Sequence, residues 1–322
     1  MVKQLNNMTT KRIVLAGGSG FLGQSLAKRF LRHNYEVVVL ARSPSKHHTR
    51  IKEVHWDGKN LGEWAVQIAK AEAVVNLAGR TVNCRYHASN RRDILESRLD
   101  STKVLGEAIA QCKQPPRVWL NSSTATIYRH SFDRAMDETT GEIGVTPEAN
   151  DAFSVEVALA WEKALDDACT PATRKIAMRT AMVLGSGRNS VLPVLRRLVR
   201  LGLGGSMASG RQFVSWIHEE DFCRAVQWLI DHNAMSGCVN LAAPNPVTNR
   251  ELMETLRRVC GRTFGLPANR WMLEIGAFLL RTETELICKS RRVVPGRLSA
   301  SGFEFCFPKL EDALRDLARL IS

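Results

Sequence analysis

Three glycines at three-residue spacing, Gly17, Gly20 and Gly23 in GGSGFLG, stand between the apolar run Arg12–Ala16 and a segment, Ser25–Leu31, whose apolar residues recur at helical spacing. A strand, a glycine-rich turn and a helix in that order form the context in which such spacing holds a dinucleotide. Bare backbone at Gly17 or Gly20 would admit a pyrophosphate, and N–H groups opening the helix would favour the anion. Gly23 would let the helix pack close to the sheet. The loop candidates are therefore Gly17, Gly18, Ser19 and Gly20, with Phe21 and Leu22 opening the helix. A strand-to-helix turn without a ligand is the competing reading.

The next apolar run, Tyr35–Leu40, ends in VLARSPSK. An acidic residue here would grip the ribose hydroxyls of NAD, whereas an arginine accommodates the extra phosphate of NADP. No Asp or Glu is present. Arg42 occupies the position with Ser43 and Lys46 close by, and a guanidinium binds phosphate through paired charge-assisted hydrogen bonds. The expected cofactor is NADP(H); the alternative is that Arg42 decorates a basic surface. Further on, NLAG ends another apolar run, and the small residues Leu77, Ala78 and Gly79 would lay backbone against the same ligand. His218 in WIHEED has an ordinary pKa suited to proton transfer, against a structural role at a strand end.

Elements that would position these groups follow from the pattern. Strands are expected at 12–16, 35–40, 53–56, 72–79, 117–123 and within 174–185, and helices at 25–31, 62–70, 90–111 and 151–168. Their alternation indicates an α/β fold, a doubly wound parallel sheet covered on both faces. After Gly185 a helix near 191–200 leads into LGLGGSMASGRQ, followed by a strand entering a helix, a short strand in GCVNLAA and a mainly helical tail. The expected division is a nucleotide-binding domain over 10–185 and 213–243, with a smaller cap over 186–212 and 244–322.

At 322 residues the chain is long enough for a large core. The apolar stretch Trp271–Leu280 is too short to span a bilayer and reads as a core helix, and the N-terminus lacks the apolar segment of a signal peptide. A cytoplasmic protein without membrane attachment is expected. The eight cysteines are scattered singly, supporting neither a zinc site nor a disulfide framework. The net charge of +13 would attract polyanions, but the basic residues are dispersed pairs, not a stripe interleaved with aromatics. A small anionic molecule is the expected partner and nucleic acid is not.

GGSGFLG, VVNLAG, the ESR of Glu96–Arg98 with Thr102, LGLGG, SGRQFVSWIHEED, NLAAPNPVTN and the terminal GFEF together resemble the extended, atypical short-chain dehydrogenases/reductases. The likeness is specifically to the YfcH-like epimerase family with its DUF1731-type C-terminal region. It covers nearly the whole chain and implies a Rossmann domain with a C-terminal substrate cap and hydride transfer to or from a nicotinamide. It also implies that the helix carrying Asp93 and Arg98 runs beside the cofactor, with Arg98 a second cation for its phosphates. Thr124 in SSTATIY falls where a hydroxyl orients the substrate oxygen. The Tyr-x-x-x-Lys pair that supplies the proton is absent: those positions hold Ser154 and Ala158. Tyr128 is the replacement candidate for the acid, or else an aromatic capping the strand. Sugar-nucleotide relatives carry an Arg four residues before the His; here that position is Val214, and Arg211 lies three residues earlier. Two functions follow: an NADP(H)-dependent oxidoreductase or epimerase acting on a small polar metabolite, and an NADP(H)-binding or sensing protein whose chemistry has lapsed. Pairing of two subunits through helices flanking the fourth and fifth strands is implied by the resemblance alone.

Overall fold

The computed structural model describes residues 10–44, 50–187, 189–269, 271–274 and 283–320. Lys46 and residues 275–280 of the expected core helix lie outside the described residues.

Valine, isoleucine and leucine fill the strands almost without interruption, as burial on both faces requires. β1 (Arg12–Ala16), β2 (Glu36–Ala41), β3 (Lys52–His55), β4 (Ala71–Asn76), β5 (Val118–Thr124) and β6 (Arg174–Thr180) pair in parallel. Short strands β7 (Met182–Leu184), β8 (Phe213–Val214) and β9 (Trp216–His218) follow, and β10 (Gly237–Leu241) completes the seven-stranded sheet in the order β10-β6-β5-β4-β1-β2-β3. β11 (Val247–Thr248) pairs antiparallel with β8, and β7 pairs with β9.

Alternate strand residues feed two cores. Ile13, Leu15, Val37 and Val39 pack with Leu26 and Phe30 of α1 (Phe21–Arg32) on one face, together with Phe222 and Val226 of a later helix. Val14, Val38 and Leu40 pack on the other face with Val104 and Leu105 of α2 (Ala88–Ala110) and Leu165 of α3 (Ala152–Asp166). The fold is thus the expected doubly wound α/β sheet. The helix expected over 62–70 is a 3-10 segment, Glu63–Ile68; Lys70, at φ 61°, ends it before an α-helix can propagate.

A third core joins α4 (Val191–Arg200) and α6 (Asn249–Val259) to the closing helix Leu310–Arg319, around Leu192, Leu256 and Leu314. Between these lies α5 (Glu219–Asp231), which covers the sheet. The segment 289–294 straps the tail across the loop that follows β5: Met136 N–H donates to the Arg292 carbonyl (2.7 Å) and Val294 N–H to that of Met136 (2.9 Å). Its anchor is an ion pair between fully buried side chains, Lys289 Nζ to Asp151 Oδ2 at 2.6 Å, with the same ammonium donating to the Thr126 carbonyl at 2.6 Å.

Removing one partner of such a pair strands a charge in the interior. Asp151→Ala should therefore lower unfolding stability by about 3–5 kcal/mol in urea titrations, and Asp151→Ala combined with Lys289→Met should recover most of the loss. A single-variant loss well under 1 kcal/mol, on the order of a surface ion pair, would show that the strap is held by its backbone bonds instead.

Candidate functional site

β1 is flanked by β2 on one side and β4 on the other, so the chain reverses its direction of travel across the sheet between β1 and β4. Ligands of open α/β sheets bind in the crevice that opens there, at the carboxyl ends of the strands. Ala16 and Asn76 are the last register partners of the two strands, and the Leu77 N–H donates to the Ala16 carbonyl at 2.8 Å. Gly17 and Ala78 therefore emerge side by side.

The glycines of the turn serve different ends. Gly17 has φ +72°, and a Cβ on it would stand 2.8 Å from the Ala78 backbone. Its bareness is required by the turn and the neighbouring strand, whatever the turn binds. A Cβ on Gly23 would meet the Gly18 carbonyl oxygen at 2.3 Å, so α1 is seated on the turn itself. Gly20 differs: a Cβ there would meet no protein atom closer than 3.9 Å. No internal packing demands glycine at Gly20, and the space it leaves faces the uncapped start of α1, whose first turn carries no acidic side chain. This is the arrangement that suits an anion.

Ser19 and Gly20 are exposed, and the Ser19 carbonyl accepts from Gln24 Nε2 at 3.0 Å. The Phe21 ring packs against the loop after β7, where a Cβ on Gly185 would lie 2.2 Å from it, and Leu22 packs on the sheet core. Phe21 and Leu22 thus offer the site their backbone, not their side chains. Arg42 and Ser43 are exposed just past β2; the Arg42 carbonyl accepts from His55, while its guanidinium makes no hydrogen bond or ion pair among the described residues.

Arg98 reaches from α2 to the exposed Gly79, whose Cβ would lie 3.2 Å from its Cζ. It donates to the Ile94 and Arg80 carbonyls (2.9 and 3.1 Å) and lies over Trp161. Burial without a carboxylate partner holds its pKa down to about 10. Such a cation is favoured by an incoming anion. Asp93 does not join it: its carboxylate pairs with Arg80, which also binds Asn90.

Beneath the turn, Asn76 Oδ1 accepts the Ala78 N–H (3.0 Å) while its amide donates to Asn121 Oδ1 (2.7 Å), and Thr102 bridges to the Arg98 carbonyl (2.8 Å). This buried network fixes the Leu77–Gly79 backbone. Its members come from three elements, and nothing local in the sequence couples them.

Thr124 ends β5, and its hydroxyl accepts the Thr126 N–H and meets Thr126 Oγ1, both at 3.1 Å. Thr126 Oγ1 in turn accepts from Arg291 (3.2 Å). Tyr128 is elsewhere: it is 1% exposed, donates to Asn240 Oδ1 (3.0 Å) and accepts from Arg179 (2.9 Å), which is held by Glu162. Burial raises its pKa further. The expectation of Tyr128 as proton donor is corrected, because its hydroxyl is enclosed and fully engaged. His218 is likewise structural: Nδ1 caps α5 by accepting the Glu220 N–H (3.0 Å), the ring stacks on Phe307, and burial lowers its pKa.

Ser154 Oγ donates to Glu285 Oε2 at 2.8 Å, across 131 residues of sequence. Glu285 borders a cavity of about 280 Å³ with Tyr86, Arg91, Phe153 and Glu283 on its walls. Glu285, Tyr86 and Arg291 were not singled out from the sequence, since only folding of the tail onto α3 brings them together.

A glycine turn at the switch point of a seven-stranded parallel sheet, with two cations on the same edge that pair with no carboxylate among the described residues, defines a Rossmann-type nucleotide-binding fold. Comparison with known proteins gives the family: residues 13–242 match the NAD dependent epimerase/dehydratase family, to which the chain belongs, and residues 269–317 match a domain of unknown function, DUF1731. The human epimerase family protein SDR39U1 is 29% identical over 95% of this chain and 99% of its own, and an epimerase family protein of Mycobacterium leprae is 31% identical over 94% of each. The crystal structure of human SDR39U1 (isoform 2) with NADPH superposes with a TM-score of 0.82 over 96% of this chain and 99% of that one, at 28% identity. The extended short-chain dehydrogenase/reductase relationship inferred from the motifs is thus established.

The buried contacts of Tyr128 predict that Tyr128→Phe leaves Asn240 and Arg179 under-satisfied and lowers stability by about 1–3 kcal/mol in chemical denaturation. It should leave dinucleotide affinity in calorimetry unchanged; a weakened affinity would return Tyr128 to the site.

Proposed function

We propose that the chain binds NADP(H) along the carboxyl edge of β1, β2 and β4 and acts as an oxidoreductase or epimerase on a small polar metabolite. The observation that carries the reading is the pairing of the uncapped α1 turn, open at Gly20, with the unpartnered guanidinium of Arg42 where an acidic residue would select NAD. The likeness to a relative solved with NADPH supports it. In this reading Gly17–Gly20 and the first N–H groups of α1 hold the pyrophosphate, Arg42 and Ser43 the ribose phosphate, and Leu77, Ala78 and Gly79 line the dinucleotide, with Arg98 adding positive charge. The dinucleotide supplies or accepts a hydride at its nicotinamide. Thr124 orients the substrate oxygen beside it, its hydroxyl fixed by the Thr126 turn. Among the described residues no helix is long and apolar enough to cross a membrane.

The second reading, a binding or sensing protein, is favoured by Ser154 and Ala158 in place of the Tyr and Lys. Activity decides between them. With a panel of small polar metabolites, NADPH consumption or formation of the substrate's epimer that falls on Thr124→Ala indicates an enzyme; neither with the wild type indicates a sensor.

Calorimetry tests the cofactor. NADPH should bind more tightly than NADH, and Arg42→Ala should weaken NADPH by about ten- to a hundredfold while sparing NADH, the size expected for charge-assisted bonds. Equal binding of both by the wild type would remove the NADP(H) assignment.

A further inference from the structure

The glycine density of LGLGG, which the dinucleotide reading leaves unused, has a packing cause. The loop after α4 lies against residues 264–268: the Leu266 N–H donates to the Gly202 carbonyl (2.8 Å), the Gly205 N–H to that of Leu266 (3.1 Å), and Ala208 and Ala268 continue the pairing. A Cβ on Gly205 would stand 2.4 Å from the Leu266 carbonyl carbon, and one on Gly265 would stand 2.6 Å from that of Gly204, so the two backbones touch. Arg257 Nη1 donates to the Gly204 carbonyl at 2.6 Å and joins α6 to the same seam. The larger side chains of the seam are exposed: Leu201, Leu203, Phe264 and Leu266, with Phe264 68% accessible. Val194, seven residues before Leu201 and therefore on one helical face with it, and Trp271, 64% accessible, extend the patch. Single exposed apolar residues need no explanation, but a group of them on one face marks an interaction site.

The charges among these residues are of one sign. Arg197 lies between Val194 and Leu201 on the outer face of α4, Arg200 ends that helix, and Arg262 stands two residues before Phe264; all three are exposed, and none forms an ion pair among the described residues. Arg257 is held by a carbonyl, not by a carboxylate. From Ala168 to His218 and from Thr255 to Leu273 the chain contains no Asp or Glu. The bordering acids are Glu254 on α6 and Glu274, whose carboxylate accepts from Thr284 at 2.9 Å. A second copy of the chain would bring the same arginines against these, so like charge opposes self-association through the patch. An anionic bilayer suits both features at once and needs no fixed relief: negative headgroups for the arginines, and hydrocarbon just beneath for leucine and aromatic side chains. A folded acidic partner would have to offer an apolar surface of matching shape inside an acidic rim.

We propose that this face, formed by the end of α4 and the seam between residues 202–208 and 264–268, is a peripheral docking surface for anionic phospholipid bilayers. Leu203, Phe264 and Trp271 enter the interface, and Arg197, Arg200 and Arg262 meet lipid phosphates. The net charge of +13 draws the whole molecule toward such a surface, and the patch sets which side of it arrives. The expectation of a protein without membrane attachment rests on the lack of a spanning segment; a surface that lies on the bilayer needs none.

Vesicle cosedimentation of the full chain tests this. Binding to vesicles of phosphatidylcholine and phosphatidylglycerol mixed at about two to one should exceed binding to phosphatidylcholine alone by about tenfold or more, and should weaken as salt is raised. Leu203→Ser combined with Phe264→Ser should lower the affinity for the anionic vesicles by about tenfold or more, and Arg200→Glu combined with Arg262→Glu should do the same. All four positions are exposed, so the urea midpoint of each double variant should match the wild type. Trp271 gives a second readout: anionic vesicles should shift the emission to the blue, and Trp271→Phe should remove that shift. No binding to anionic vesicles, or equal binding to neutral ones, would overturn the proposal. Binding lost in the arginine variant but intact in the serine variant would overturn it too, as the unspecific attraction of a basic protein. A dimer in analytical sedimentation that Leu203→Ser with Phe264→Ser abolishes, or capture on polyglutamate beads that this variant loses while still binding vesicles, would assign the face to a protein instead. None of these measurements involves the dinucleotide, so their outcome is independent of the cofactor reading.

Discussion

The approach of Gly17 to the Ala78 backbone, too close for any Cβ between them, is the constraint on which the rest of the site depends. It exists because β1 and β4 run parallel to a common end at Ala16 and Asn76, and because Asn76 turns its side chain back to hold the Ala78 N–H. With that contact made, the turn has a single conformation, α1 is seated on it through Gly23, and the first N–H groups of the helix point along the sheet edge. A side chain at Gly17 would force β4 and the turn apart and misplace every donor after it. The form of the turn is thus a consequence of backbone packing, which leaves Gly20 and the two cations, Arg42 and Arg98, without an internal packing reason.

Those cations illustrate a difference in cost. Arg42 is exposed, and water satisfies its charge in the absence of ligand. Arg98 is enclosed against Trp161 with only carbonyls as partners, so the fold bears an electrostatic penalty that no internal carboxylate offsets. Asp93, one turn earlier on α2, is drawn to Arg80 instead. Keeping this pair apart from Arg98 neutralises charge at the surface and leaves a positive group beside Gly79.

The fold was largely legible in the sequence because a parallel sheet writes itself as apolar runs; β1 and the helix α4 fall where periodicity places them. The strand, glycine turn and helix over 12–32 were legible for a related reason, since they are contiguous and the turn carries backbone constraints. For Tyr128 and His218 the sequence left a catalytic and a structural reading open, because a residue type announces its chemistry but not its enclosure, and both hydroxyl and ring hydrogen-bond inward. Glu285 was invisible for the opposite reason. Its relation to Ser154 spans 131 residues and arises only when the strap 289–294 docks, and no periodicity encodes that event.

The same docking bears on how the substrate half is assembled. Ala158 is wholly buried in a cluster with Ile127, Tyr128, Met136 and Val293, so the place on α3 where a lysine would stand is apolar core, closed by the strap itself. An ammonium there would be desolvated without a partner. The ammonium that does reach this region, Lys289, comes from the tail and is held by Asp151 at the start of α3. Lys289, Arg291 and Glu285 lie within seven residues of one another on that tail, and their partners Thr126, Ser154 and Asp151 all belong to the nucleotide-binding half. Docking the tail and arranging the charges around the end of β5 are therefore one event: loosening the strap would remove the partners of all three at once.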